Sequence, residues 1–441
     1  MGNPIQLPDL PLMLANLPRP VRELLRGAGI PAESLPEIPL LAAGVGRFVL
    51  FDGQDRRSAS RACRAAAHGL KPIDVRALLH ESAAGPLADA GEIASRLAVD
   101  SVARAFLEQL KAAVETGGGV WVRMADYPFP YQSAICLGVE HVSEELAGFA
   151  DIAATLPGKA THFVCSRLRP DRLAFLAQAG ESVLGWKIRA DEFERSGRRT
   201  LSHWSTRLER FAALGLRPVG LALGEEARAL PPAGRLLRLG LRYSCVISPG
   251  AACGAATAGC SAGLPPWIRF GTRPLPPRDR FVEWIGEHYQ SGRPLFLSAT
   301  TERLDLVQEL MRLAGDAGRC SLMWQTSYGE FANWWALRRQ LSLQVWRTDN
   351  GYEIHATGSF GRFTGAVEIW RGNHLATLPL RNSELTVPDD GLVYLQSAKR
   401  NPAGCTAPGG GVRNLVEPEG QRRARDPFLS RSRFRRKGSP E

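Results

Sequence analysis

The feature that most constrains this chain is a rhythm. From Val120 to about Ala317, short apolar runs alternate with stretches of helical periodicity. The runs are Trp121–Met124, Ile135–Val139, Thr161–Val164, Ser182–Leu184, Val219–Leu223, Ser244–Ile247 and Leu295–Leu297. Between them, His203–Leu214, Ala229–Leu239, Arg278–Gln290 and Thr301–Leu313 place apolar residues at helical spacing. Strands joined through helices must run parallel, and this many repeats predict closure of the sheet into a barrel. The long Gly- and Pro-rich stretch Pro249–Pro277 reads as a loop over the barrel mouth.

On either side of this region the pattern changes. Residues 1–118 hold a Pro- and Leu-rich start with a short amphipathic stretch at Val21–Leu25. They continue as strand, helix, strand (Phe48–Asp52, Ser58–His68, Pro72–Val75) and a longer helical segment, Glu92–Val114, that stops at Gly117-Gly118-Gly119. This is a leading α/β element. Residues 119–318 form the barrel region. Residues 319–397 begin with an aromatic helix N-capped by Thr326 or Ser327, then alternate as Leu341–Trp346, Tyr352–Ala356, Gly365–Trp370, Leu375–Leu380 and Gly391–Leu395. Asp349-Asn350-Gly351 and Arg371-Gly372-Asn373 sit between runs as turns, so this is an antiparallel, sandwich-like β module. Residues 398–441, rich in Pro, Gly and Arg, read as a disordered basic tail.

A chain of 441 residues exceeds one ordinary domain, which agrees with this division. The net charge of +11 is unevenly spread: Gln421–Glu441 holds eight basic and two acidic residues and so carries +6 of it. Nucleic acid is therefore expected to bind at most weakly, through the tail. No run approaches the length of a membrane span, and the first residues lack a basic segment followed by an apolar one, so a cytoplasmic location is expected. The eight cysteines form no Cys-x-x-Cys pair, which argues against a zinc knuckle or a disulfide framework.

The runs Ala134–His141, Ala160–Cys165, Glu181–Trp186, Gly215–Gly220 and Leu239–Cys245 resemble, in order and spacing, the polysaccharide deacetylase family (the NodB-homology domain). The aromatic helix Phe331–Trp335 resembles the C-terminal signature of a divergent bacterial subgroup. The resemblance covers about Ala134–Trp335. It implies an irregular (β/α)7-type barrel, chemistry at the C-terminal strand ends, and a carbohydrate ligand. It also implies two aspartates after the first strand, one a base and the other a metal ligand, and two histidines four residues apart that hold the same metal. Here the first stretch reads Gly138-Val139-Glu140-His141, while Leu184 and Ile188 stand where the histidines would be. The orienting arginine is absent from Leu221–Glu226, and Ser298-Ala299-Thr300 lacks the late histidine. No metal or other cofactor is therefore expected.

Glu140, His141 and Glu225 are the candidate catalytic residues, because a carboxylate or an imidazole at a barrel strand end can move a proton. Trp186, Lys187, Thr300 and Trp334 are the candidate substrate-binding residues, since indoles stack on sugar rings and the others offer hydrogen bonds. Structural alternatives stand beside them: rim carboxylates paired with Lys187 or Arg189, and tryptophans in the core. His162, His203 and His288 read as structural. Three functions remain open: a carbohydrate deacetylase with a reshaped site, a silent barrel that binds a glycan or a protein, and a metal-free hydrolase using Glu140 and Glu225.

Overall fold

A computed structural model describes residues 4–5, 12–35, 48–82, 92–93, 97, 100–119, 121–141, 160–165, 184–188, 200–223, 233–247, 254–258, 267–300, 312, 323–348, 351–371, 374–380, 384–388, 393–394 and 396–397. All of these belong to one unit, Met1–Ala403. The expected helix Thr301–Leu313, with only Arg312 described, and the whole of the basic tail lie outside the described residues.

After a two-residue strand β1 (Pro4–Ile5), the N-terminal element is a parallel sheet of β2 (Leu12–Ala15), β3 (Ala32–Ser34), β4 (Phe48–Phe51) and β5 (Lys71–Asp74), in the order β3-β2-β4-β5. Helices α1 (Arg19–Gly27), α2 (Arg56–Ala67), α3 (Val75–Ser82) and α4 (Asp100–Thr116) accompany it. Their spacing explains the packing. Val21 and Leu25 of α1, and Phe106, Leu110 and Val114 of α4, share one apolar cluster with Leu12, Leu14, Leu50 and Ile73 of the sheet. Asp55 caps α2 by accepting from the Arg57 backbone N–H.

Strand β6 (Trp121–Met124) departs from expectation. It is not the first barrel strand, because it pairs antiparallel with a strand of the C-terminal module. A four-residue apolar run carries no information about its partner, and here the antiparallel edge of that module takes it.

The barrel consists of β7 (Ser133–His141), β8 (Thr161–Cys165), β9 (Leu184–Lys187), β10 (Gly220–Leu223), β11 (Tyr243–Ile247), β13 (Trp267–Pro274) and β14 (Leu295–Thr300). Every neighbouring pair is parallel, and β11 pairs with β13 and β14 with β7, so the seven strands close on themselves. Helices α5 (Thr200–Ala213), α6 (Ala233–Arg238) and α7 (Arg278–Ser291) belong to this region. The fold is an irregular (β/α)7-type barrel. The stretch expected as a loop holds two strands, β12 (Gly254–Ala258) and β13, and β13 completes the barrel. Gly271, Pro274 and the flanking prolines hid it. Its Ile268 and Phe270 nonetheless alternate into the central core while Arg269 is exposed.

Large aromatic rings fill the interior where neighbouring strands carry glycine. A Cβ on Gly220 would lie 2.0 Å from the Tyr243 ring, and one on Gly185 would lie 2.4 Å from Phe163. The first turn of α8 (Tyr328–Gln340) supplies a further ring, following a short strand β15 (Met323–Thr326) that pairs with the start of β7. Ser327 caps α8, its Oγ accepting from the Glu330 N–H at 3.1 Å. Tyr328 then lies against Phe163, Tyr243, Phe270 and Phe296. Its hydroxyl donates to the Leu297 carbonyl at 3.0 Å.

Beyond α8, β16 (Leu343–Thr348), β17 (Gly351–Ala356) and β20 (Glu384–Pro388) form one antiparallel sheet. The second is β22-β19-β18-β6, with β18 (Ala366–Arg371), β19 (His374–Pro379) and β22 (Gln396–Ser397); β21 (Val393–Tyr394) pairs with β1. Arg338 ties the parts together. Buried within α8, its guanidinium donates to the carbonyls of Gly27, Ala28, Met124 and Ala125 and to the Asp126 carboxylate. It thereby satisfies C-terminal carbonyls of α1 that lack helical partners.

Candidate functional site

The C-terminal end of a parallel barrel is where its strands deliver side chains to a common mouth. Glu140 is the eighth of the nine residues of β7, all of them buried. One of its carboxylate oxygens accepts from the Ser298 hydroxyl of β14, and the other pairs with the Lys187 ammonium of β9. Strand β8 lies between β7 and β9, so this ion pair crosses the barrel interior. Thr300 ends β14 in register with Glu140, points to the same side, and is half-buried.

The pair is enclosed: the Glu140 side chain is 8% exposed and that of Lys187 is 15% exposed. Two charges held this far from water are stable only when paired and hydrogen-bonded, and here the hydroxyl of Ser298 completes the carboxylate. Cys245 of β11 lies close enough to interact with both charges. Burial above all pushes its thiol well up, with Glu140 adding to that and a Thr272 hydrogen bond and Lys187 opposing it. Burial also pushes Cys136 well up. Both are held as thiols, which removes them as thiolate nucleophiles.

Of the candidates named from the sequence, Glu140, Lys187 and Thr300 come together at this mouth. The structure places the others elsewhere. His141 follows Glu140 in the strand and therefore faces the opposite way. Its Nε2 lies 3.0 Å from Nδ1 of His162 on β8, one nitrogen donating and the other accepting. Burial lowers both imidazoles, His141 well below the ordinary range and His162 to about 4, so the pair is neutral near pH 7. His141 is thus a buried partner of His162 on the outer side of the sheet and does not join Glu140 at the mouth.

Trp186 is also on the outer face, 1% exposed, with Trp204 and Phe211 of α5 packed edge-on at 5.6 and 6.2 Å. Trp334 is fully buried, donates Nε1–H to the Asp126 carbonyl at 2.8 Å and stacks on Phe360. Neither indole offers a face to a sugar, because packing against the core removes more apolar surface from water than a rim position would. Glu225 lies outside the described residues.

The metal set implied by the sequence resemblance does not fit these residues. Leu184 and Ile188 carry no donor atom and both belong to the outer apolar cluster with Trp186 and Trp204, facing away from Glu140. Among the described residues, no three His, Cys, Asp or Glu side chains come together as a ligand group. Ser298 and Thr272 join the site without being marked by any motif in the sequence. The alternation of Ser298 with Thr300 at a strand end was the available signal for the first. Thr272 was hidden with the rest of β13.

No helix among the described residues is long and apolar enough to cross a membrane. No family model matches the chain, and no curated protein matches it. Among solved structures, the crystal structure of 4-alpha-glucanotransferase from Thermococcus litoralis is similar to 45% of this chain, with a TM-score of 0.31 and 14% identity. The match spans 38% of that protein's own length.

Proposed function

We propose that this protein engages a carbohydrate at the C-terminal mouth of its barrel, and that it does so without the metal-dependent deacetylation that its sequence resemblance to polysaccharide deacetylases implies. The observation that carries this reading is the Glu140–Lys187–Ser298 cluster. It is a charged, hydrogen-bonding group drawn from three strands at the barrel end where sites of this architecture lie. A carboxylate, an ammonium and a hydroxyl match the donors and acceptors of sugar hydroxyls.

Both carboxylate oxygens of Glu140 already have partners, which favours recognition over turnover. Glycan-array binding by the full chain, with no acetate released from acetylated chitooligomers, is the expected result. Stoichiometric zinc in the purified protein together with acetate release would overturn it. A metal-free hydrolase acting through Glu140 and Glu225 is the other reading. It fails if Glu140→Gln and Glu225→Gln leave any measured glycoside turnover unchanged.

A further inference from the structure

The charge balance of the Glu140–Lys187 pair narrows the ligand, resting on the carbohydrate reading above. At the inward positions of the described barrel strands, Glu140 and Lys187 are the charged residues, and they neutralise one another. Around them are hydroxyls, from Ser298, Thr300 and Thr272, and the neutral thiol of Cys245. Beneath them is the aromatic packing of Phe163, Phe296 and Tyr328.

We infer that the Glu140–Lys187 pair is the recognition element for an uncharged sugar, with adjacent hydroxyls bridging the carboxylate and the ammonium, and that the site rejects acidic sugars and sugar phosphates. A carboxylate has about four acceptor positions and an ammonium three donor protons. Ser298 and Lys187 use one acceptor position each, and Glu140 uses one of the donor protons. The remainder suits a diol: one hydroxyl donates to Glu140 while its neighbour accepts from Lys187. Such a ligand exchanges hydrogen bonds and leaves the Glu140–Lys187 pair neutral overall.

A uronate or a phosphate would bring an uncompensated negative charge beside Glu140. To bind Lys187 it would have to displace Glu140 and leave that carboxylate buried without its cation, a strongly unfavourable exchange. A protonated amino sugar faces the mirror-image problem at Lys187. Charge selectivity therefore follows from the pair being buried, since a solvated pair would screen either ligand.

The test is calorimetric titration of the full chain with three probes: neutral glucan and chitin oligomers, oligogalacturonate, and fully deacetylated chitosan oligomers. A neutral probe is expected to bind at least tenfold more tightly than either charged one. The double variant Glu140→Gln/Lys187→Met, which leaves no lone buried charge, is expected to lose tenfold or more of that binding with its melting temperature little changed. Equal or tighter binding of a charged probe overturns the inference and leaves the carbohydrate reading intact. So does neutral binding that survives in the double variant. Binding of none of the probes would refute both. The comparison of probes on the unaltered protein decides the matter even if the double variant does not fold.

Discussion

Replacing Lys187 by Met isolates the energetics of the mouth. The substitution keeps most of the side-chain volume and removes the ammonium from a carboxylate whose side chain is 8% exposed. Glu140 would retain the Ser298 hydroxyl but no counter-charge. Removing one partner of a buried pair costs about 3–5 kcal/mol, because the remaining charge stays desolvated. In a unit of this size a loss of that magnitude lowers a melting midpoint by about 3–6 °C. Glu140→Gln/Lys187→Met removes both charges while its amide still accepts from Ser298, and is expected to stay within about 2 kcal/mol of the parent. Differential scanning calorimetry of the parent, both single variants and the double variant gives the coupling directly. If Lys187→Met costs less than about 1 kcal/mol, the value of a solvent-exposed pair, the reasoning about an enclosed site is wrong.

Arg338→Met strands four backbone carbonyls and takes one cation from Asp126, which keeps its ion pair with Arg123, and is expected to cost about 3–5 kcal/mol by urea denaturation; Arg338→Lys should recover little, because a single ammonium cannot reproduce the fork. Acidification should destabilise the protein through its buried histidines. His162 and His288 sit at about 4 in the fold against 6.5 when unperturbed, so the unfolded chain binds more protons between those values. Their stabilising contribution is complete above about pH 6.5 and is lost as pH falls toward 4, amounting to about 2 kcal/mol each at pH 5. Urea midpoints that do not move between pH 7.5 and pH 5 would contradict this. Gly220→Ala drives a methyl group into the Tyr243 ring and should destabilise by about 1–3 kcal/mol in a thermal melt; an unchanged melt would mean that the ring is loosely held.

The barrel was legible because each of its strands needs a helical crossover, and that alternation survives as a period change along the chain. Glu140 was legible for the same reason, as a polar residue at the end of an apolar run. Where the reading failed, the cause was local. Gly271 and Pro274 disguised β13, and β6 is too short to announce an antiparallel partner. Glu140 and His141 occupy the same motif stretch, but neighbours in a strand face opposite sides, so one of them alone reaches the mouth. Trp186 and Trp334 have the chemistry of sugar contacts, and only their packing shows them to be core. The contact of Ser298 with Glu140 spans 158 positions, beyond any motif.

Strand β6 precedes the barrel, yet its antiparallel partner β18 follows it, and the bond from Arg123 to Glu368 spans 245 positions. On a ribosome adding roughly 5–20 residues per second, β6 emerges about 12–50 s before that partner exists. During that interval Trp121 and Val122, buried in the finished protein, have no sheet to join. Any part of the barrel that folds during synthesis does so on a chain whose preceding strand is still unpaired, which leaves this edge open to mispairing in that interval.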